Sequence, residues 1–405
     1  LPGHREQAEQ EPAEKERNEM NRLALAFGIA LALPGAVAHA APVGALADRP
    51  LYELPLPAPD APKPQTDAEK KLGMTEGRAL PAPELLQPTL DPALLDYAPR
   101  PHASLHGHYR AGVSDVLPGQ VRLWIAAFEK LYPGVHIDLT QPFAGSLGAK
   151  ELVKQNLDFV FVSRELRPDD ITDFHTRFGY DPLSVPVMGG TYRHYGFLDA
   201  VAVIVNPTNP IQRLSFGQLD AVLSASRVRG GSAVTTWGQL GLTGDWADKP
   251  IHVYAIHPWN GFEEFVRQRV LSLPGRRGEW RTDLNFADVV FPIASEVAKD
   301  PDAIGYTGLA YIDASVKALA LAPGESGPYV PPSYEAVASA AYPLSRLVYF
   351  NVNKAPGKPL PPPIEELLKF ILSRQGQALV LKEAVFLPLR ASQADAARVL
   401  LAPDS

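Results

Sequence analysis

Four short polar loops carry the residue types that can hold an anion. Three lie in the first half of the chain, at Gly112-Val113-Ser114-Asp115, Gly145-Ser146-Leu147-Gly148 and Ser163-Arg164-Glu165, and the fourth is Asn260-Gly261. Each stands where a strand pattern ends and a helical pattern begins, so each sets unpaired backbone N–H groups and the positive end of a helix dipole beside its side chains. The serines add hydroxyl donors, and Arg164 adds a planar cationic fork that fits two oxygens of one oxyanion. Taken singly, such loops are ordinary helix caps, because Ser, Asp and Asn are favoured there. Asn260 with Glu263 three residues on reads as a capping box, and Arg164 has Glu165 and Asp169 as candidate salt-bridge partners. Their recurrence in one order, at the edge where a doubly wound sheet binds ligands, points to an anion cradle.

Other chemistry finds little support. There is no G-x-S-x-G, H-E-x-x-H, G-x-x-x-x-G-K or G-x-G-x-x-G pattern, so no catalytic residue and no nucleotide cofactor are expected. His102, His106 and His108 form an H-x-x-x-H-x-H cluster, but no matching acidic partners stand nearby, and a stable metal site needs three or four convergent ligands. They are read as surface or packing histidines. Trp237 and Trp246 lie in "TTWGQLGLTGDW", where their spacing favours packing over stacking on a sugar.

The elements that must position the loops alternate. "VRLWIAAFEKL" puts Val121, Trp124, Ile125, Phe128 and Leu131 on one helical face, Pro133-Gly134 breaks it, and "VHIDLT" alternates like a strand. "SLGAKELVKQN", "LDFVFVS", "RPDDITDFHTRFG" and "LSVPVM" continue as helix, buried strand, helix stopped at Gly179, and strand. The pattern predicts α/β architecture with a parallel sheet. A second α/β unit begins at "FLDAVAVIVNP" and runs through "LSFGQLDAVLS", "IHVYAI", "IGYTGLAYI" and "VKALALA". "YPLSRLVYFNVN" then supplies a late strand, which suggests that the chain crosses back to the first unit. "PIEELLKFILSRQGQALV" adds two helices, interrupted at Gly376.

Bulk properties narrow the partners. The 405 residues allow two domains, and 46% hydrophobic with 20% charged residues is ordinary globular composition. A formal net charge of -7, with Lys and Arg scattered among acids, offers no basic field for nucleic acid. Cysteine is absent, so disulfides and thiolate chemistry are excluded. "MNRLALAFGIALALPGAVAHA", Met20 to Ala40, has the basic start, short apolar run and small-residue end of a secretory signal peptide cleaved after Ala40, and no cysteine follows to carry a lipid. From Ala41 to Pro101 dense prolines favour extended chain.

The order of the Gly-Ser loop, "DFVFVSREL", "DAVAVIVNPTNPI", "LSFGQLDAVLS", "WGQLGLTGDWADKPIHVY", "AIGYTGLAY", "YPLSRLVYFNVN" and "LSRQGQALV" with "FLPL" resembles the phosphate-binding proteins of bacterial phosphate ABC transporters, in the periplasmic binding protein type 2 superfamily, from about Leu105 to Leu389. The resemblance implies an α/β fold of two lobes joined by a two-strand hinge. Residues 102–200 and 316–395 would form lobe 1 and 201–315 lobe 2, after upstream and signal residues 1–40 and a Pro-rich lead at 41–101. It implies a non-enzymatic, periplasmic, monomeric protein without cofactor that closes on phosphate or a related oxyanion and delivers it to an ABC permease. A divergent binder of another solute, or a surface interaction protein, is the alternative on the same fold.

Carried over by position, the resemblance places Ser114 at the first ligand loop, Ser146 at the second with Gly145 beside it as a further candidate, Ser163 and Arg164 at the third, and Asn260 and Gly261 at the fourth. Asp199 and His257 are further candidates, Asp199 as acceptor of the phosphate proton. The family's fourth loop reads Arg, a few residues, then Ser-Gly-Thr, whereas this chain reads His257-Pro258-Trp259-Asn260-Gly261-Phe262. Two hydroxyl donors are therefore missing, each worth roughly 1.5 to 3 kcal/mol toward a charged ligand, and the Asn260 amide would stand in. Val113 occupies a place where the family prefers a small polar residue. Glu263, folded back to close the capping box, would set a negative charge at the helix mouth where an anion should sit.

Overall fold

The computed structural model describes residues 88–100, 105–140, 145–193, 198–258, 261–382 and 386–402, with backbone alone at 145–147. The signal-peptide reading and most of the Pro-rich lead fall outside them. No helix among the described residues is long and apolar enough to cross a membrane.

The first unit begins with β1 (Gly107–Val113) and α1 (Pro118–Leu131), whose leading proline is preset for the first helical turn and whose missing N–H would have had no partner there. Val121, Trp124, Ile125 and Phe128 are buried on one face, as their spacing requires. Leu131, expected among them, is exposed, because the helix ends on it and Tyr132 takes the inward place. Next come β2 (Val135–Leu139), α2 (Gly145–Val153), β3 (Phe159–Val162), α3 (Pro168–Phe178) and β4 (Leu183–Gly189). The α3 helix stops at Gly179, which turns left-handed with φ 80°. Both faces of β3 are covered: Phe159 and Phe161 join the main core of this unit, while Val160 and Val162 point into a smaller cluster with Leu152 and Phe174.

The second unit holds β5 (Val201–Val205), β6 (Arg213–Ser215), α4 (Phe216–Leu223), β7 (His252–Ile256), α5 (Gly261–Val266), β8 (Asn285–Ala287), α6 (Ile293–Lys299), β9 (Ala303–Gly308), β10 (Lys317–Ala318), β11 (Ala320–Ala322) and α7 (Tyr334–Ala338). Ser215 caps α4 by accepting the Gln218 N–H at 3.0 Å, and α5 runs on through Leu271 as a wider π-type turn. The tryptophan pair is packing: Trp237 is fully buried in this core and meets Trp246 edge to face at 6.3 Å. The chain ends with β12 (Leu347–Val352), α8 (Pro362–Ile371), α9 (Arg374–Val380) and α10 (Ala391–Val399).

Among the described residues the main sheets have the orders β2-β1-β3-β12-β4 and β10-β5-β9-β7-β8, and β11 pairs with β6 in a small ribbon. Neither main sheet is purely parallel, as the alternation had suggested. In the first, β12 runs antiparallel to β3 and β4, and in the second β5 runs antiparallel to β9 and β10. Both exceptions are strands that enter a sheet directly after crossing from the other one. The crossing segments lie side by side, with the Gly190 N–H on the Arg346 carbonyl at 2.8 Å and the Val201 N–H on the Leu344 carbonyl at 3.1 Å.

Three expectations change. The return to the first unit does not begin at residue 316, since β10 pairs with β5 and Tyr334, Val337 and Leu344 fill the second core; the strand that returns is β12. The break between the last two helices is at Ser373, whose hydroxyl caps α9, while Gly376 lies inside α9, pressed so close to the Phe370 and Ile371 carbonyls that no Cβ would fit. Part of the Pro-rich lead is docked: Arg374 donates to the Leu94 carbonyl at 2.8 Å, and the Tyr97 hydroxyl meets Tyr132 at 2.7 Å and Glu366 at 2.8 Å.

Candidate functional site

The carboxyl ends of β1 and β3 bring two of the sequence candidates together. Ser114 extends the β1 ladder by donating its N–H to the Phe161 carbonyl at 2.9 Å, and it is almost fully buried. Its Oγ accepts the Ser163 N–H at 3.2 Å, which ties the first and third loops and leaves the Ser114 hydroxyl proton to donate elsewhere. Ser114 is not the cap of α1; that position falls to Leu117, and Asp115 accepts the N–H of Val116 at 3.1 Å. In the second loop Gly145 opens α2 and Ser146 sits in its first turn.

Arg164 follows directly. Its side chain is buried, and its Nη1 donates to the Glu165 backbone carbonyl at 2.8 Å. Burial, then the neighbouring Arg167 charge, pulls its pKa down, opposed by Asp170, Glu264 and Glu165. Neither expected salt bridge forms. The Glu165 carboxylate is held by Arg269 of the π-type turn and by the Tyr349 hydroxyl at 2.8 Å, and among the described residues no carboxylate stands within 4.0 Å of the Arg164 guanidinium. The same seam is stitched by Gln268, whose amide donates to the Leu166 carbonyl at 2.7 Å.

Asn260 lies outside the described residues. Gly261 opens α5 in open space, with nothing within 4 Å of where a Cβ would stand. The His257 ring stacks on Phe286, centroids 5.0 Å apart, while its backbone N–H continues the β7 pairing to the Ala287 carbonyl. Glu263, expected to place a bare negative charge at the helix mouth, is buried with its Oε1 on Arg267 Nη2 at 2.6 Å and on Trp280 Nε1 at 2.5 Å. Arg267 lies 3.8 Å from Glu264, which Arg277 also grips at 2.7 Å. The acids of α5 thus arrive with their own counter-charges.

Asp199 sits on the crossing segment ahead of β5, buried, with Oδ2 accepting the Ala310 N–H at 3.1 Å. It packs so tightly on Gly308 that only glycine fits there. Burial pushes its pKa up to about 7, against the pull of the Ala310 N–H and then of Arg346.

Arg346 is the residue that motif reading passed over. Its signal was a lone cation in the apolar run "PLSRLVYF". It is buried on the other crossing segment, with its guanidinium carbon 4.9 Å from the Phe265 ring centre and 5.8 Å from that of Phe262. Its Nε has no hydrogen-bond partner, and burial pushes its pKa down to about 10. Among the described residues no group of three or more His, Asp or Glu could hold a metal; His102 is not described, and His108 pairs with Asp138 at 2.7 Å.

Comparison with known proteins fits this geometry. The family described as a PBP superfamily domain matches residues 98–375. Phosphate-binding protein PstS from Pseudomonas aeruginosa is similar, in each of the strains PAO1 and UCBPP-PA14, at 34% identity over 309 residues, or 76% of this chain and 90% of that protein. The crystal structure of PstS from Borrelia burgdorferi covers 70% of this chain and 100% of its own at 16% identity and a TM-score of 0.50, an agreement of fold alone.

Proposed function

This chain belongs to the PBP superfamily and, within it, to the family of the phosphate-binding protein PstS, and from that premise we propose that it captures phosphate between two lobes and delivers it to the permease of an ABC transporter. The observation that carries the reading is Arg164, a buried guanidinium with no ion-pair partner among the described residues, set beside the paired Ser114 and Ser163. A cation taken out of water without a counter-charge is costly, and a bound oxyanion removes that cost.

In this reading Arg164 grips two phosphate oxygens, the Ser114 hydroxyl donates the proton that its bond from Ser163 leaves over, and the first turns of α2 and α5 present N–H groups from Gly145, Ser146 and Gly261. Asn260 supplies an amide in place of the family's hydroxyl, and His257 is the weakest candidate because Phe286 already holds its ring. Asp199, with a pKa near 7, accepts the proton of singly protonated phosphate, which fully ionised sulfate lacks. The first lobe would comprise the first sheet and the chain from β12 onward. The pairing of β10 with β5 supports running the second lobe from 201 to about 345 rather than to 315. The crossing segments would form the hinge. Export by the Met20 to Ala40 signal would place the mature protein in the periplasm as a monomer, with no role for nucleic acid.

Thermal melting of refolded, dialysed protein across phosphate, arsenate, phosphonates and sulfate tests this. The expected outcome is a rise in melting temperature with phosphate and arsenate and little with sulfate. Clean cooperative melting with no response to any of them would turn the assignment toward a binder of a different solute.

A further inference from the structure

We infer that Arg346 is a second guanidinium ligand of the bound anion, so that the site takes a dianion gripped by one arginine from the third loop and one from the hinge. The inference rests on the phosphate-binding reading and deepens it.

Placement is the first ground. Arg346 precedes β12 on a crossing segment, and its guanidinium lies over Phe265 of α5, so it reaches from the hinge to the facing jaw. The second ground is the set of charges around it. Asp199, Glu165, Arg164 and Arg269 act on Arg346, and both acids are already engaged: Glu165 by Arg269 and the Tyr349 hydroxyl, Asp199 by the Ala310 N–H. Among the described residues no carboxylate comes within 4.0 Å of the Arg346 guanidinium, and neither its Nε nor the buried Ser345 hydroxyl beside it has a hydrogen-bond partner. Third, the Arg164 and Arg346 charges repel each other, while Asp199 and Glu165 act on Arg346 only from beyond ion-pair distance. One ligand with two negative charges gives each guanidinium a contacting counter-charge, where a monoanion has only one to share.

A purely structural role, stacking on Phe265 and Phe262, predicts different behaviour, and Arg346→Met separates the two because it keeps an apolar stem on those rings and removes the charge. Titration calorimetry with inorganic phosphate at pH 8, together with melting of the ligand-free protein, reads both properties. The expected result is that R346M weakens phosphate binding by about 30-fold or more, that Arg346→Lys keeps the charge and recovers to within about tenfold of wild type, and that ligand-free R346M melts no lower than wild type. Wild-type phosphate affinity in R346M, with or without a lowered melting temperature, overturns the inference. A wild-type protein that gives no heat with phosphate overturns the phosphate reading itself, and this inference falls with it.

Discussion

Arg267 and Arg346 are buried to the same extent, each about 8% exposed, and their surroundings could hardly differ more. Arg267 has Glu263 at 2.6 Å, Glu264 at 3.8 Å and Glu279 at 3.7 Å, and its α5 partner Glu263 also accepts from Trp280. Arg346 has two aromatic rings and an Nε with no hydrogen-bond partner. Burial removes solvation from both, so the difference lies in what replaces the water. At Arg267 the chain supplies the anions and gains a fixed helix. At Arg346, and at Arg164 with it, no carboxylate among the described residues comes within ion-pair distance, and in the proposed reading a ligand supplies that contact. The contrast marks Arg164 and Arg346 as the proposed ligand arginines without reference to any motif.

The largest effect expected of any change that breaks this contrast is at Arg164. Arg164→Ala removes a bidentate grip in which each charged hydrogen bond is worth about 1.5 to 3 kcal/mol, so phosphate binding should fall by two orders of magnitude or more in calorimetry while ligand-free stability holds. The reverse holds for Arg267→Met, which leaves Glu263 buried without its cation. Breaking a buried pair in this way costs about 3 to 5 kcal/mol, read as a lower urea midpoint with an unchanged slope.

Asp199 sharpens the comparison through pH. Its folded pKa of about 7 lies above the unfolded value near 3.8, so the folded state holds the extra proton. Ligand-free stability should therefore fall as pH rises from 4 to 7, by up to about 1.4 kcal/mol per unit from this group. Asp199→Asn should flatten that slope and be relatively most stabilising at pH 8, measured by urea unfolding at pH 5 and 8. An unchanged slope would mean that Asp199 is ionised throughout. The smallest effect belongs to the seam between the units, where Glu165→Gln weakens a partly exposed bond to Arg269. A loss of about 1 kcal/mol or less, seen as a few-fold faster phosphate release in stopped-flow fluorescence, is expected.

Much of this was legible in the sequence because it is local. Gly179 ends α3 through its left-handed φ, and the late "RLVYFNV" strand does return to the first sheet, between β3 and β4. Arg164 could be named from its loop, since strand-to-helix junctions meet at one sheet edge. What escaped depends on residues far apart in the chain. The antiparallel sense of β5 and β12 follows from their entry out of the crossing segments, which no period encodes. Gly376 looked like a breaker because a glycine needed for close packing against Phe370 and one needed to end a helix read alike. The charge at Glu263 looked hostile to an anion because its partner Arg267 was invisible to a capping-box pattern. Arg346 has the same explanation in reverse: its meaning lies in the partners it lacks, and the spacing of one strand cannot show that.

The most direct test is titration of phosphate into refolded, dialysed wild-type protein at low ionic strength, followed by calorimetry. The unpaired arginines at the seam predict saturable one-to-one binding that is lost in Arg164→Ala and retained in Arg267→Lys. Absence of heat with phosphate in a protein that unfolds cooperatively, or binding that Arg164→Ala leaves intact, would contradict the account.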